Sequence, residues 1–295
     1  MTDQTMLTRF ETGRGFIAAL DQSGGSTPKA LQLYGIEPSE YSGDEQMFDL
    51  IHAERLRIMT DPAFTSERIL AAILFEDTLG REVEGRGVAD WLWNTKGIVP
   101  FLKIDKGLRD EADGVQLMRD IPELDALLGR AKDAGVLGTK ERSVIHAADE
   151  SGIAQIVAQQ FDLAHRVLDA GLLPILEPEV DIHAPDKEAA ETLLKATIVE
   201  HLAGLGERKV AVKITIPSVD DFYADLIAHP NIARVVALSG GYSRADAVAR
   251  LARNHGLIAS FSRALLDGLS AHQSDADFHT TLDSSITAIY DASLT

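Results

Sequence analysis

Apolar residues in this chain arrive in short runs, spaced so that each gap can hold at least one helix. The runs read GFIAALD (15–21), ILAAILFE (69–76), IVPFLKID (98–105), VLGTKERSVI (136–145), LLPILEPEV (172–180), KVAVKITIP (209–217), VVALSGG (235–241) and LIASFSR (257–263). Most are nearly continuous, the pattern of strands covered on both faces in a parallel sheet. Amphipathic segments lie between them. EAAETLLKATIVEHLAGLG follows Pro185 and ends at glycines, while SRADAVARLARNHG has Ser243 as a cap and Gly256 as a stop. Eight alternating units in 295 residues predict one α/β domain, residues 1–295, with the (β/α)₈ TIM-barrel architecture. A doubly wound open sheet shares the alternation and is the alternative. Residues 22–68 exceed a usual βα connection and are expected to carry extra helix.

The polar residues interrupting these runs fall near their C-terminal ends, where barrels of this kind carry their chemistry. Asp21 ends the first run, and Lys103 and Asp105 close the third. Lys140 and Arg142 lie two apart in the fourth and so face the same way, as do Glu177 and Glu179 in the fifth. Lys213 sits in the sixth among Val210, Ala211, Val212 and Ile214. Ser239, Gly240 and Gly241 end the seventh; Ser260, Ser262 and Arg263 end the eighth. A charge on an apolar strand is costly unless paired. Several of both signs gathered at one barrel end point to a site.

Lys213 carries the most specific chemistry. Only about one free lysine in 2,500 is a neutral amine at pH 7. An apolar strand centre beside the cations Lys140 and Arg142 favours the neutral, imine-forming amine. Pairing with Glu177 or Glu179 would instead hold it as a cation. The two glutamates suit general acid–base work, and such close carboxylates resist ionising together, so one is expected to hold a proton. Asp21, across the barrel, suits holding or deprotonating a hydroxyl. Ser239-Gly240-Gly241 offers unobstructed backbone N–H groups, and Arg263 adds a bidentate cation, at the usual barrel phosphate position. Ser23-Gly24-Gly25-Ser26 with Lys29, together with Lys103, forms a second anion-binding region. Two such regions at opposite sides of one mouth suggest a bisphosphate.

Composition narrows this further. A net charge of −18 argues against nucleic acid and anionic membranes as partners, so an anionic ligand needs a local island of positive charge. The absence of cysteine removes disulfides, thiolate metal sites and a cysteine nucleophile. The nine histidines show no zinc-ligand spacing, and neither a metal nor another cofactor is expected. No apolar leader or bilayer-length run stands out, which makes a cytoplasmic protein the simplest reading. A homo-oligomer is compatible with it. Trp91 and Trp93 could stack on a sugar, but packing against the barrel fits them better.

The motifs ALDQSGGS (19–26), ILFEDTL (73–79), GIVPFLKIDKG (97–107), KER (140–142), PILEPEVDI (174–182), VKITIPS (212–218), LSGGYS (238–243) and SFSRAL (260–265) resemble those of the class I fructose-1,6-bisphosphate aldolases, in particular their short bacterial branch. The resemblance covers most of the chain in the family's order. It implies a (β/α)₈ barrel and a lyase that uses no metal, cleaving a sugar bisphosphate of glycolysis through a lysine Schiff base. It assigns the imine to Lys213, the main acid/base role to Glu177 with Glu179 assisting, and the action on the substrate hydroxyl to Asp21. Lys140 would support imine formation, with Arg142 nearby. Ser239, Gly240 and Arg263 would hold one phosphate, with Gly241 and Ser262 in the same loops; Ser23, Ser26 and Lys103 would lie toward the other. Two departures stand out. Longer members end in a tyrosine that assists proton exchange, whereas the last tyrosine here is Tyr290, and Ser262 replaces their glycine before the arginine. A Schiff-base aldolase for tagatose bisphosphate and a silent sugar-phosphate sensor are the rival readings; a metal-dependent aldolase would need clustered histidines.

Overall fold

In the computed structural model, which describes residues 3–23 and 27–295, each of the eight apolar runs forms a strand. They are β1 (Phe16–Leu20), β2 (Ile69–Leu74), β3 (Val99–Lys103), β4 (Gly138–Ile145), β5 (Leu173–Val180), β6 (Val210–Thr215), β7 (Ile232–Leu238) and β8 (Ile258–Phe261). Each strand pairs in parallel with the next. β8 returns to β1 through Ile17↔Ser260 and Ala18↔Phe261, so the sheet closes into a (β/α)₈ TIM barrel and the open-sheet alternative fails. β7 begins at Ile232, earlier than the apolar run suggests, because Ile232 and Arg234 extend the register along Val210 and Ala211.

The long connection after β1 carries the expected extra helix: Thr27–Leu33, a 3₁₀ turn at Pro38–Glu40, and Gly43–Thr60. Ser243 caps as anticipated, its hydroxyl accepting the Asp246 N–H at 3.1 Å. That helix, Arg244–Leu251, stops short of Gly256. Asn254 is the reason: its side-chain amide donates to the Arg250 carbonyl at 2.9 Å while its oxygen accepts the Asp221 N–H. No helix among the described residues is long and apolar enough to cross a membrane.

The strand pleat sorts the apolar side chains into two cores. One lies between strands and helices. The other fills the barrel lumen with Ile17, Ala19, Ile73, Phe101, Ile175, Ala211, Val236 and Ile258. Met6 and Phe10 plug its lower end from the helix Gln4–Thr12, an element the strand pattern does not announce. The Phe10 ring meets Phe101 at 4.9 Å, and Arg234 donates to the carbonyls of Phe10 at 2.7 Å and Gly13 at 3.1 Å. Trp91 is buried, its indole N–H donating to Glu84 at 2.9 Å, and Trp93 packs against the lumen core. Neither lines the cavity at the barrel mouth, so both serve packing.

Candidate active site

Continuing each strand's inward-facing positions toward its C-terminal end changes the chemistry from apolar to charged. On β5, Leu173 and Ile175 face the lumen and Glu177 and Glu179 follow; on β6, Ala211 is followed by Lys213; on β3, Phe101 by Lys103. β1 gives Ala19 then Asp21, β4 gives Lys140 then Arg142, and β8 gives Ile258 then Ser260 and Ser262. These polar side chains, with Ser239, Gly240, Gly241, Arg263 and Lys29, line one cavity of about 690 Å³. Ser23 joins them by contact, accepting a hydrogen bond from Lys103 at 2.5 Å. Ser26 lies outside the described residues.

A buried ion-pair network sits at the base of the cavity. The Lys140 ammonium lies 2.6 Å from Asp21 Oδ2 and 2.7 Å from Glu177 Oε2, the second contact being an ion pair without hydrogen-bond alignment. Lys213 Nζ lies 2.9 Å from Glu177 Oε1. Glu177 therefore stands between two ammoniums, one at each oxygen. Burial pushes the Glu177 carboxyl up, but Lys140 and Lys213 outweigh it and hold the group below the usual carboxylate range. Asp21 behaves alike: burial raises it, and Lys140, Lys213 and Lys103 together carry it well below its ordinary value. Burial pulls Lys140 down, yet Asp21 and Glu177 hold it well above the ordinary lysine range. Lys140 is thus a cation held between two carboxylates.

The geometry bears on two readings that the sequence left open. Glu177 and Glu179 each have their own cation: Glu177 the two lysines, Glu179 the guanidinium of Arg142. And Lys213 faces a carboxylate rather than Lys140 and Arg142 alone, so the resting amine is in an ion pair. Glu141, between Lys140 and Arg142, faces the strand–helix layer, where burial pushes its carboxyl well up. Pleating thus places opposite chemistries on adjacent residues of one strand.

The mouth beyond β7 and β8 is shaped for an anion. Gly240 and Gly241 have φ of +63° and +117°, and a Cβ on Gly240 would fall 2.5 Å from the Ile182 side chain. A Cβ on Gly241 would stand 3.6 Å from the Arg263 guanidinium, so this bare backbone and the exposed Arg263 face the same space. Lys103, 3.4 Å from Asp105, supplies a cation on the β3 side. Tyr290, in the C-terminal helix Asp275–Ala292, packs on the strand–helix core and does not line the cavity. Among the described residues, no group of three or more His, Cys, Asp or Glu side chains is arranged to hold a metal ion.

Sequence reasoning did not single out Gln22, Glu54 or Arg55. Gln22 lines the cavity and donates to Ser262 Oγ at 2.7 Å; Glu54 lines it from the helix Gly43–Thr60. Arg55 is buried beneath, donating to Thr78 Oγ1 at 2.6 Å and to the Gln22 carbonyl. Only the position of Gln22 directly after Asp21 could have drawn attention to it.

Comparison with known proteins agrees with this geometry. The family model for class I fructose-bisphosphate aldolase matches residues 4–191. A class 1 fructose-bisphosphate aldolase of Synechocystis sp. is 58% identical over 294 residues, covering 99% of this chain and 98% of the relative. Relatives of the same name from Clostridium acetobutylicum and Porphyromonas gingivalis are each 54% identical, covering 99% of this chain and 100% and 99% of their own length. Among solved structures, a fructose-bisphosphate aldolase from Plasmodium falciparum, crystallised with TRAP and a small-molecule inhibitor, superposes with a TM-score of 0.70 at 22% identity. The match covers 99% of this chain and 96% of that one, and at such identity it supports the fold alone. A barrel mouth built around a lysine–carboxylate network, and relatives matching it end to end, place the chain in the class I fructose-bisphosphate aldolase family.

Proposed function

We propose that the chain, acting as one aldolase domain, reversibly cleaves fructose 1,6-bisphosphate to dihydroxyacetone phosphate and glyceraldehyde 3-phosphate through an imine at Lys213. The observation that carries this reading is the contact of Lys213 Nζ with Glu177 at 2.9 Å, inside a cavity with cationic groups on two sides. Attack on the C2 carbonyl needs a neutral amine, and Glu177 is in place to take the ammonium proton. The amine forms a carbinolamine, Glu177 returns the proton to its hydroxyl, and water leaves to give the iminium. Lys140 stabilises Glu177 and Asp21 whenever either is in its carboxylate form. Asp21 then takes the C4 hydroxyl proton as the C3–C4 bond breaks, and the bonding pair moves into the iminium to form an enamine. Glyceraldehyde 3-phosphate departs. Asp21 gives up its proton as one adds to the enamine at C3, and addition of water at C2 then releases dihydroxyacetone phosphate and restores Lys213. Arg263, Ser239, Gly240, Gly241 and Ser262 hold one phosphate, and Lys103 with Ser23 and Ser26 attracts the other.

A coupled assay of triose phosphate release, in excess chelator, tests the reading. The chain turns over fructose 1,6-bisphosphate under these conditions, and Lys213→Met retains ligand binding without measurable turnover. Turnover that collapses with chelator, or survives in Lys213→Met, would overturn it.

A further inference from the structure

We infer that Gln22 is a positioning residue that fixes the Ser262 hydroxyl as a donor toward the substrate phosphate. The inference deepens the proposed function and rests on its placing a phosphate beside Ser262 and Arg263. β1 and β8 are neighbours in the barrel, and Gln22 lies two residues past β1, next to Asp21. Its side-chain amide reaches across the seam and donates to Ser262 Oγ at 2.7 Å. A serine hydroxyl has one proton and two lone pairs. With one lone pair engaged by the Gln22 N–H, the Ser262 O–H must find its acceptor elsewhere, and Ser262 lines the same cavity as Arg263. A phosphate oxygen there accepts from a hydroxyl already oriented toward it.

Gln22 is itself held in place. Its backbone carbonyl accepts from the Arg55 guanidinium, which also donates to Thr78 Oγ1 at 2.6 Å, and Arg55 is only 1% exposed. Arg55 belongs to the helix Gly43–Thr60, and Thr78 follows β2. The chain of contacts therefore ties three parts of the mouth to the β8 loop. Burial lowers the Arg55 guanidinium to about 10. A cation kept where its charge is costly is consistent with a fixed strut beneath the loop.

Steady-state kinetics on Gln22→Glu, Gln22→Ala, Ser262→Ala and the Gln22→Ala/Ser262→Ala double variant test the inference, with inorganic phosphate as a competitive inhibitor. Gln22→Ala and Ser262→Ala each raise KM for fructose 1,6-bisphosphate and Ki for phosphate about tenfold, the scale of one hydrogen bond to a charged group. The fall in kcat is smaller than the rise in KM. The double variant resembles either single one, since both remove the same donor. Gln22→Glu, nearly isosteric, has the larger effect because its carboxylate accepts the Ser262 O–H hydrogen bond and faces the phosphate with a negative charge. It keeps the test available if Gln22→Ala does not fold. Unchanged KM and Ki in Gln22→Glu, or additive effects in the double variant, would overturn the role of Gln22. A wild-type chain with no cleavage activity would instead overturn the reading on which the inference rests.

Discussion

The lower end of the barrel and its mouth are made by the same strands, two to four residues apart, yet they are held together by opposite physics. Below, Ile17, Phe101 and Ile175 pack with Phe10 in a lumen without charge, stabilised by area removed from water and close contact. Above, Asp21, Lys140, Glu177 and Lys213 are almost as deeply buried but are charged, and each is tolerable only because of its partners. The lower end can therefore be cut back at a cost to stability alone. Under the proposed function, the mouth cannot lose a member without altering the reaction.

The largest test of that contrast is Glu177→Gln. Removing the carboxylate between Lys140 and Lys213 should lower kcat roughly 10⁴-fold, the upper range for a general acid–base group. A loss below tenfold would move the acid–base role to Glu179. At the other end, Phe10→Ala should destabilise the chain by about 4 kcal/mol in denaturant titration, with kcat and KM of the folded enzyme unchanged. A changed kcat there would mean that the lumen transmits strain to the mouth.

Glu54 sharpens the comparison, being a carboxyl at the mouth that has burial without a partner for Oε2. Burial raises it from 4.5 to about 7 against the weaker opposing pull of Arg55. Below pH 4.5 both folded and unfolded chains hold the proton, so stability is unaffected. Between pH 4.5 and 7 the unfolded chain ionises first, and stability falls by about 1.4 kcal/mol per pH unit. Above 7 the loss levels off at roughly 3 kcal/mol. Glu54→Met should accordingly be more stable than the parent at pH 8 and lack that gain at pH 4.5; a pH-independent difference would contradict the assignment. The smallest effect is expected at Gly240→Ala, where the positive φ and the Ile182 contact should cost about 1–2 kcal/mol and raise KM for phosphate ligands more than they lower kcat.

Much of this was legible because barrel strands repeat one rule. A polar residue two positions past an apolar lumen residue, as Lys213 is past Ala211 and Glu177 past Ile175, must enter the mouth. The closure of the barrel was legible only in part, since alternation is shared with open sheets until β8 meets β1. Partners were not legible. That Glu177 takes two lysines and leaves Arg142 to Glu179 depends on how neighbouring strands are staggered. The Gln22–Ser262 bond joins residues 240 positions apart, and no local spacing announces it. The helix Gln4–Thr12 carries only Met6 and Phe10 as buried residues, too few for a pattern to show where they dock.

The central claim is that Lys213, paired with Glu177, forms the covalent intermediate. Incubation with dihydroxyacetone phosphate in excess chelator, reduction with borohydride and peptide mass mapping test it most directly. The account predicts one reduced adduct, on Lys213. An adduct on Lys140 or Lys103 would keep the imine and overturn the assignment, and a folded chain that binds the ligand without any adduct would contradict the mechanism itself.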